Sequence, residues 1–171
     1  ITTNEGIILA SKYREKTRTG EWNVDASITR ADERDAQNSK TGRKIVRGHT
    51  YVEGNFQIDP VWRWGVNARR TTDDTYLRRY DISSTDNLTS NLFVEGFNGP
   101  HYASANAYAF QGLRETDDPG DTPFVLPSLE YNWTGQPDQG GDHYSFDANV
   151  LSLYRSDGQD TLRLSLSGAW E

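Results

Sequence analysis

The sequence predicts an all-β chain, an antiparallel up-and-down meander forming part of a large transmembrane β-barrel. Three observations predict it. Period-2 alternation of apolar and polar residues recurs along the 171 residues, while helical periodicity is almost absent. Many alternating runs reach about 10 residues, against ~5–6 for an ordinary strand, and a tilted strand of ~9–11 is what a bilayer demands. The connections also alternate: "TRTG", "DP" and "NGP" are short, whereas 31–44, 72–87 and 112–123 are long. Outer-membrane barrels have this asymmetry, with tight turns at one rim and long loops at the other.

Taken in order, strands are expected over 5–16, 21–30, 45–58, 61–71, 88–98, 101–111, 124–134, 143–154 and 160–171. In the second, "EWNVDASIT" sets Trp22, Val24, Ala26 and Ile28 against Glu21, Asn23, Asp25 and Ser27. "HTYVEGNFQI" sets Val52, Phe56 and Ile58 against Glu53, Asn55 and Gln57. "VWRWGVNA" places Trp62, Trp64, Val66 and Ala68 opposite Arg63 and Asn67. "HYSFDANV" separates Tyr144, Phe146, Ala148 and Val150 from His143, Ser145, Asp147 and Asn149. In "TLRLSLSGAW", Leu162, Leu164, Leu166 and Trp170 share one face, and Arg163, Ser165 and Ser167 the other. The asymmetry of connections weakens late in the chain. There "GQPDQGGD" is long for a tight turn and "SDGQ" short for a loop.

Composition fits this reading. Only 34% of residues are apolar, below the ~45–50% of a soluble domain, yet five Trp, nine Tyr and six Phe are not those of a disordered chain. In a wide barrel alternate residues face lipid and the rest face a wet lumen, which lowers mean hydropathy without loss of order. All five Trp fall within expected strands, several near an end, as an interfacial girdle places them. The alternative is that they fill the core of a soluble sandwich. A net charge of −7 argues against nucleic acid as a partner. No stretch approaches the ~20 apolar residues of a membrane helix, and no signal segment opens the chain. The absence of Cys excludes a disulfide scaffold.

Residues 47–83, "RGHTYVEGNFQIDPVWRWGVNARRTTDDTYLRRYDIS", resemble the barrel region of the LptD family of outer-membrane lipopolysaccharide-assembly proteins, also called organic solvent tolerance proteins. "GIILASKYREKTRTGEWNVDASIT" (6–29), "VLPSLEYNW" (125–133) and "LSLYRSDGQDTLRLSLSGAWE" (151–171) are similar to the same family in the same order. The resemblance implies a very large barrel in the cell outer membrane, preceded by a periplasmic β-jellyroll. It implies an LptE-type lipoprotein plugging the lumen. It also implies lipopolysaccharide as cargo, arriving along a periplasmic bridge and leaving between the first and last strands. Against that pattern, residues 1–171 are expected to be a partial barrel domain, without the jellyroll, the first gate strand or the closing strands. The disulfide-forming cysteines of the family have no counterpart here.

The densest chemistry is "DDTYLRRYD" at 73–81. On strand spacing Tyr76, Arg78 and Tyr80 share one face, and Leu77, Arg79 and Asp81 the other. Arg69, Arg70, Arg78 and Arg79 are candidates for holding the phosphates or sugar acids of an anionic lipid. Alternatively, Asp73, Asp74 and Asp81 neutralise them and the cluster braces a long loop. "DDPGD" at 117–121 has oxygens for Ca²⁺ but is also an ordinary exposed turn. His49, His101 and His143 lack metal-ligand spacing, the dispersed acids single out no glycosidase pair, and neither a nucleophile elbow nor a phosphate loop is present.

The expectation is therefore a section of an outer-membrane lipopolysaccharide translocon, without catalytic chemistry, cofactor or metal. Leu162, Leu164, Leu166 and Trp170 would face lipid. Its partners would be lipopolysaccharide, membrane lipid and the plug lipoprotein. A soluble β-sandwich that binds glycans is the alternative, and it requires the Leu162–Leu166 face to be buried in a core. A general porin is the third reading.

Overall fold

A computed structural model of the chain describes residues 2–3, 6–34, 39–118 and 120–170. Among them one ten-stranded sheet runs in chain order, every neighbour antiparallel. Its strands are β1 (Thr2–Thr3), β2 (Gly6–Lys16), β3 (Gly20–Arg34), β4 (Lys40–Gln57), β5 (Trp62–Thr71), β6 (Asn87–Asn98), β7 (His101–Gly112), β8 (Phe124–Thr134), β9 (Tyr144–Tyr154) and β10 (Thr161–Trp170). The nine long strands are the nine expected. Residues 5 and 171, expected at strand ends, lie outside the described residues.

Two connections differ from expectation. The long loop expected at 31–44 is largely strand: β3 continues to Arg34, β4 starts at Lys40, and the two pair from Ala31↔Ile45 to Arg34↔Lys40 with an irregularity between Asp32 and Arg34. Charges hid this extension, because beyond the Ala31↔Ile45 pair both of its faces are polar. The same charges support it across the strands, Lys40 reaching Asp32 at 2.8 Å and Arg43 reaching Glu33 at 3.5 Å. The connection 72–86 contains one helical turn, α1 (Tyr76–Arg79).

The register shows how the sheet curves. Starting from Gly20 at the foot of β3, successive partners are Phe56, Trp64, Val94, Ala105, Leu129, Val150 and Leu164. Gly20 begins its strand, whereas Leu164 lies six residues from the end of β10 at Trp170. Five of the seven steps thus displace a strand along its neighbour, all in one sense, and the other two leave it level. Six residues at ~3.3 Å is ~20 Å, accumulated over seven interstrand steps of ~4.8 Å, so the strands incline by about 30°. Closed barrels need a one-way stagger of this kind, with tilts of ~35–45°.

The same register sorts the side chains. Ile7 and Leu9 of β2, every second residue from Trp22 to Ile28 of β3, from Val46 to Phe56 of β4 and from Trp62 to Ala68 of β5, and Leu92 and Val94 of β6 project to one face. So do Ala103 to Ala107 of β7, Leu129 to Trp133 of β8, Tyr144 to Val150 of β9 and Leu162 to Trp170 of β10. No second layer covers them among the described residues: Leu162, Leu164 and Leu166 are 76%, 65% and 64% exposed. A sandwich core at this face is contradicted, since a sandwich needs two packed sheets.

The opposite, inner face carries the polar half of each strand. The buried set shows this on β3 to β5, where Ser27, Thr29, Arg47, His49 and Thr71 of the inner face are buried beside Ala31, while Tyr76, Leu77, Leu88 and Leu113 form a separate apolar cluster. A bulge in β8 between Val125 and Ser128 accommodates Pro127, which has no amide to give the ladder.

All five Trp stand within three residues of a strand end at the short-turn rim, formed by 17–19, 58–61, 99–100 and 135–143. Trp22, Phe56 and Trp64 stack there, with centroids 4.8 Å apart for Trp22–Phe56 and for Phe56–Trp64. Glycines seat the rings: a Cβ at Gly96 would lie 2.6 Å from Trp62, and one at Gly54 would lie 2.8 Å from Trp22. Gly96→Val therefore displaces Trp62 and costs about 1–3 kcal/mol by overpacking. The check is thermal unfolding of the detergent-solubilised full-length protein, in which an unchanged midpoint counts against this seat.

Candidate functional site

The inner face becomes a site where the connection 72–86 folds over it. Asp73 starts the turn. Its carboxylate accepts from the Thr72 hydroxyl at 3.0 Å, the Thr75 amide at 3.2 Å and the Thr75 hydroxyl at 3.0 Å. Asp81 ends it with φ at 54°, a left-handed conformation that Asp tolerates better than most residues. The Ile82 amide donates to the Leu77 carbonyl at 2.8 Å and the Asp81 amide to that of Arg78 at 3.2 Å. This is a Schellman cap, with Asp81 where Gly is usual.

The turn buries Tyr76 and Leu77 completely against Leu88 and Leu113, with Tyr51 and Tyr80 packed on the cluster. Helical geometry puts both Tyr76 and Leu77 inward, so the alternation expected on strand spacing is replaced by a turn. Two polar latches fix it to β3 and β4. Arg47, nearly inaccessible on β4, grips Asp73 with both ends of its guanidinium: Nε donates to Oδ2 at 2.8 Å and Nη2 to Oδ1, while Nη2 also donates to the Thr75 hydroxyl at 2.7 Å. The Ser27 hydroxyl lies 2.7 Å from the Tyr76 hydroxyl and 2.7 Å from His49 Nδ1.

Ser27, His49 and Asp25 bring together the residue types of a hydrolase, but not its geometry. Asp25 lies 3.6 Å from His49 Nε2, too far for a good hydrogen bond, and Nε2 has no other partner. Ser27 is buried and its oxygen is occupied by both His49 and Tyr76. The trio is a latch rather than a nucleophile.

A third feature is a gap in the ladder. β5 and β6 pair only from Trp62↔Gly96 to Asn67↔Asn91 and then part. The Ser90 hydroxyl accepts from the Arg69 amide at 2.9 Å and donates to the Arg69 carbonyl at 3.1 Å. The Gln111 side-chain amide does the same for Thr71, at 3.1 and 2.8 Å. Side chains thus replace two rungs of backbone, and the Leu77 cluster lies beside them.

The four candidate arginines do not converge. Arg69 points inward, donating to Glu53 at 2.9 Å and standing over Tyr51 at 5.4 Å. Arg70 points outward and is exposed, its guanidinium 3.5 Å from the Phe110 carbonyl. Arg78 braces the connection through Asp86 at 3.0 Å and the Leu113 carbonyl at 2.8 Å, and Arg114 joins it on Asp86 at 3.0 Å. Arg79, half-buried, is engaged as well. Arg69 thus meets Glu53 and Arg78 meets Asp86, whereas Asp73 serves Arg47. The sequence names His49 only as a histidine without metal-ligand spacing and Ser27 only as a polar-face residue, and it gives no signal of their joining Arg47 in a latch.

Elsewhere, Asp117 accepts from the Arg114 amide at 3.0 Å and Asp118 from the Gly120 amide at 2.8 Å, as turn caps. Pro119, in the "DDPGD" turn, lies outside the described residues. His101 meets the Tyr131 hydroxyl at 2.8 Å at the short-turn rim.

Burial alone would raise the Asp73 carboxyl, but Arg47, Thr72 and Thr75 outweigh it and hold the group below its ordinary value. A lowered carboxyl stabilises above its unfolded value, about 4, and its contribution is lost as pH falls through the lowered one. Acidification below pH 4 is expected to loosen 73–80, read as lower protection of those amides against hydrogen exchange relative to the unstructured rate at the same pH. Arg47→Ala is expected to do the same at neutral pH, costing the docked segment about 2–4 kcal/mol. Unchanged exchange in either case contradicts the latch.

Residues 46–171 match the family model described as LptD, LPS transport system D. No curated protein matches the chain.

Proposed function

Because the chain belongs to the LptD family, whose members transport lipopolysaccharide at the outer membrane, we propose that these strands form a section of the barrel wall through which lipopolysaccharide is inserted into the outer leaflet. The observation that carries this reading is the one-way register that keeps the apolar rows of β2 to β10 outward, with Asn67, Asn91, Glu95, Asn106, Asn132 and Asp147 on the inner face. The outward face anchors the wall by apolar burial, worth about 25 cal/mol per Å² removed from water.

The inner face offers hydroxyls, amides and paired charges to a sugar head group. Arg63 with Glu95 at 2.8 Å, Asn91 with Asn106 at 3.4 Å and Asn132 with Asp147 at 2.6 Å make it hydrophilic without a large unpaired charge. An LptE-type plug lipoprotein would rest on the same face, and a periplasmic bridge would deliver cargo through a domain elsewhere in the parent protein. The sheet is open, and its edge strands β1 and β10 need neighbours, because an unpaired edge is not stable in hydrocarbon. Further barrel strands of the parent would supply them. The role is that of a conduit wall, passive in the energetics of transport.

Photo-crosslinkers at Asn67 and Asn106 on the inner face, and at Val66 and Ala105 on the outer, test this in the full-length protein. The inner pair is expected to capture lipopolysaccharide or the plug lipoprotein, and the outer pair membrane lipid. An inner pair that captures neither would remove the conduit reading.

A further inference from the structure

Phe97 departs from the division of the two faces. It stands on the inner row of β6, the row of Asn91 and Glu95, yet it is apolar and 51% exposed. Its partner across the ladder is the half-buried Tyr102 of β7, and the two rings are tilted with centroids 4.9 Å apart. The same register row continues through Asn132 of β8 and Asp147 of β9. The next row holds Arg63 of β5, Glu95, Ser104 and Glu130. All of these project from the inner face beside the short-turn rim.

Hydrogen bonds hold this patch in shape. Glu95 accepts from the Arg63 guanidinium on Oε1 at 2.8 Å and from the Tyr102 hydroxyl on Oε2 at 3.2 Å. Arg63 also stands over the Phe97 ring at 5.4 Å. The Asn132 amide donates to Asp147 at 2.6 Å. The rings and their polar neighbours are therefore placed before a ligand arrives, which lowers the cost of ordering them on binding.

An open aromatic pair ringed by carboxylates, an amide and a guanidinium has the chemistry that recognises a sugar. The C–H face of a pyranose carries slight positive charge and packs on the negative face of an aromatic ring. Its hydroxyls both donate and accept, so they need carboxylate acceptors and amide or guanidinium donors beside that ring. Charge narrows the choice. The patch sets one cation, Arg63, among the carboxylates of Glu95, Glu130 and Asp147, and such a surface opposes a phosphate or a sugar acid.

We propose that Phe97 and Tyr102 stack an uncharged sugar ring of the lipopolysaccharide saccharide, whose hydroxyls meet Glu95, Asn132 and Asp147. Short turns mark the periplasmic rim of such barrels, so the subsite stands at the mouth where cargo enters. It rests on the conduit reading of the inner face and adds a selection to it: neutral sugar rings are held at this mouth, and phosphorylated ones are not.

The test is saturation-transfer difference NMR on the full-length protein with an LptE-type plug lipoprotein in nanodiscs. The probes are an oligosaccharide of uncharged hexoses cut from lipopolysaccharide and the same oligosaccharide phosphorylated at its 6-hydroxyls. The uncharged probe is expected to take up saturation on its ring protons, and the phosphorylated one about tenfold less. Phe97→Ala with Tyr102→Ala is expected to weaken the uncharged signal about tenfold, whereas Phe97→Tyr keeps it. Equal saturation of the two probes in the wild type overturns the proposal, whether or not the Ala variant folds. An unchanged signal in a folded Ala variant also overturns it. Saturation that appears only after the plug lipoprotein is removed would make this patch a plug contact and contradict the sugar assignment. Saturation of neither probe removes the subsite, while the conduit reading is decided separately by the crosslinks at Asn67 and Asn106.

Discussion

Hydrocarbon contains no water to satisfy a backbone amide, so a wall that stands in it must pair every strand. The rest of this structure depends on that ladder. Nine long strands pair in chain order with a stagger that always runs the same way, and the stagger both tilts the sheet and keeps the side-chain rows in phase. A one-residue slip anywhere would exchange the two faces of a strand and put charges into lipid. The exception supports the rule. Where β5 and β6 part, Ser90 and Gln111 supply the amide and carbonyl partners that the backbone lacks, and Tyr76 and Leu77 of the 72–86 connection pack there on Leu88 and Leu113.

Two faces and two rims follow from the ladder. The outward face is apolar and the inward face polar, so a chain with 34% apolar residues is rich enough to sit in a membrane without a conventional core. One rim stacks aromatic rings, which suit the boundary between hydrocarbon and water. The other rim ends its outward rows in cations and carries the long connections. These asymmetries orient the wall, and the most elaborate packing, Arg47 on Asp73 and Tyr76 on Ser27, lies at the long-loop side.

The strands were legible because a wall with one wet face writes its register directly as alternation. Trp22, Val24, Ala26 and Ile28, or Leu162, Leu164 and Leu166, need no tertiary information to be placed. The extension of β3 and β4 was not legible, since beyond Ala31 and Ile45 both faces are polar and no alternation is left. The 72–86 turn was half-legible. Its density of charge marked it as unusual, but its shape depends on Arg47, 26 residues before Asp73, and on Ser27, 49 residues before Tyr76. Grouping Arg69, Arg70, Arg78 and Arg79 by sequence proximity failed for the same reason: adjacent strand residues point to opposite faces, so Arg69 and Arg70 cannot share a ligand.

The central claim is that one face of this sheet is in lipid, and a lipid-accessibility scan of β10 tests it most directly. Single nitroxide labels from position 161 to 167 of the full-length protein in bilayers would be relaxed by oxygen, which concentrates in hydrocarbon, or by a water-soluble nickel complex. The account predicts oxygen-dominated relaxation at 162, 164 and 166, alternating with nickel-dominated relaxation at 163 and 165. Nickel access at all of these positions, or no alternation between them, would contradict it.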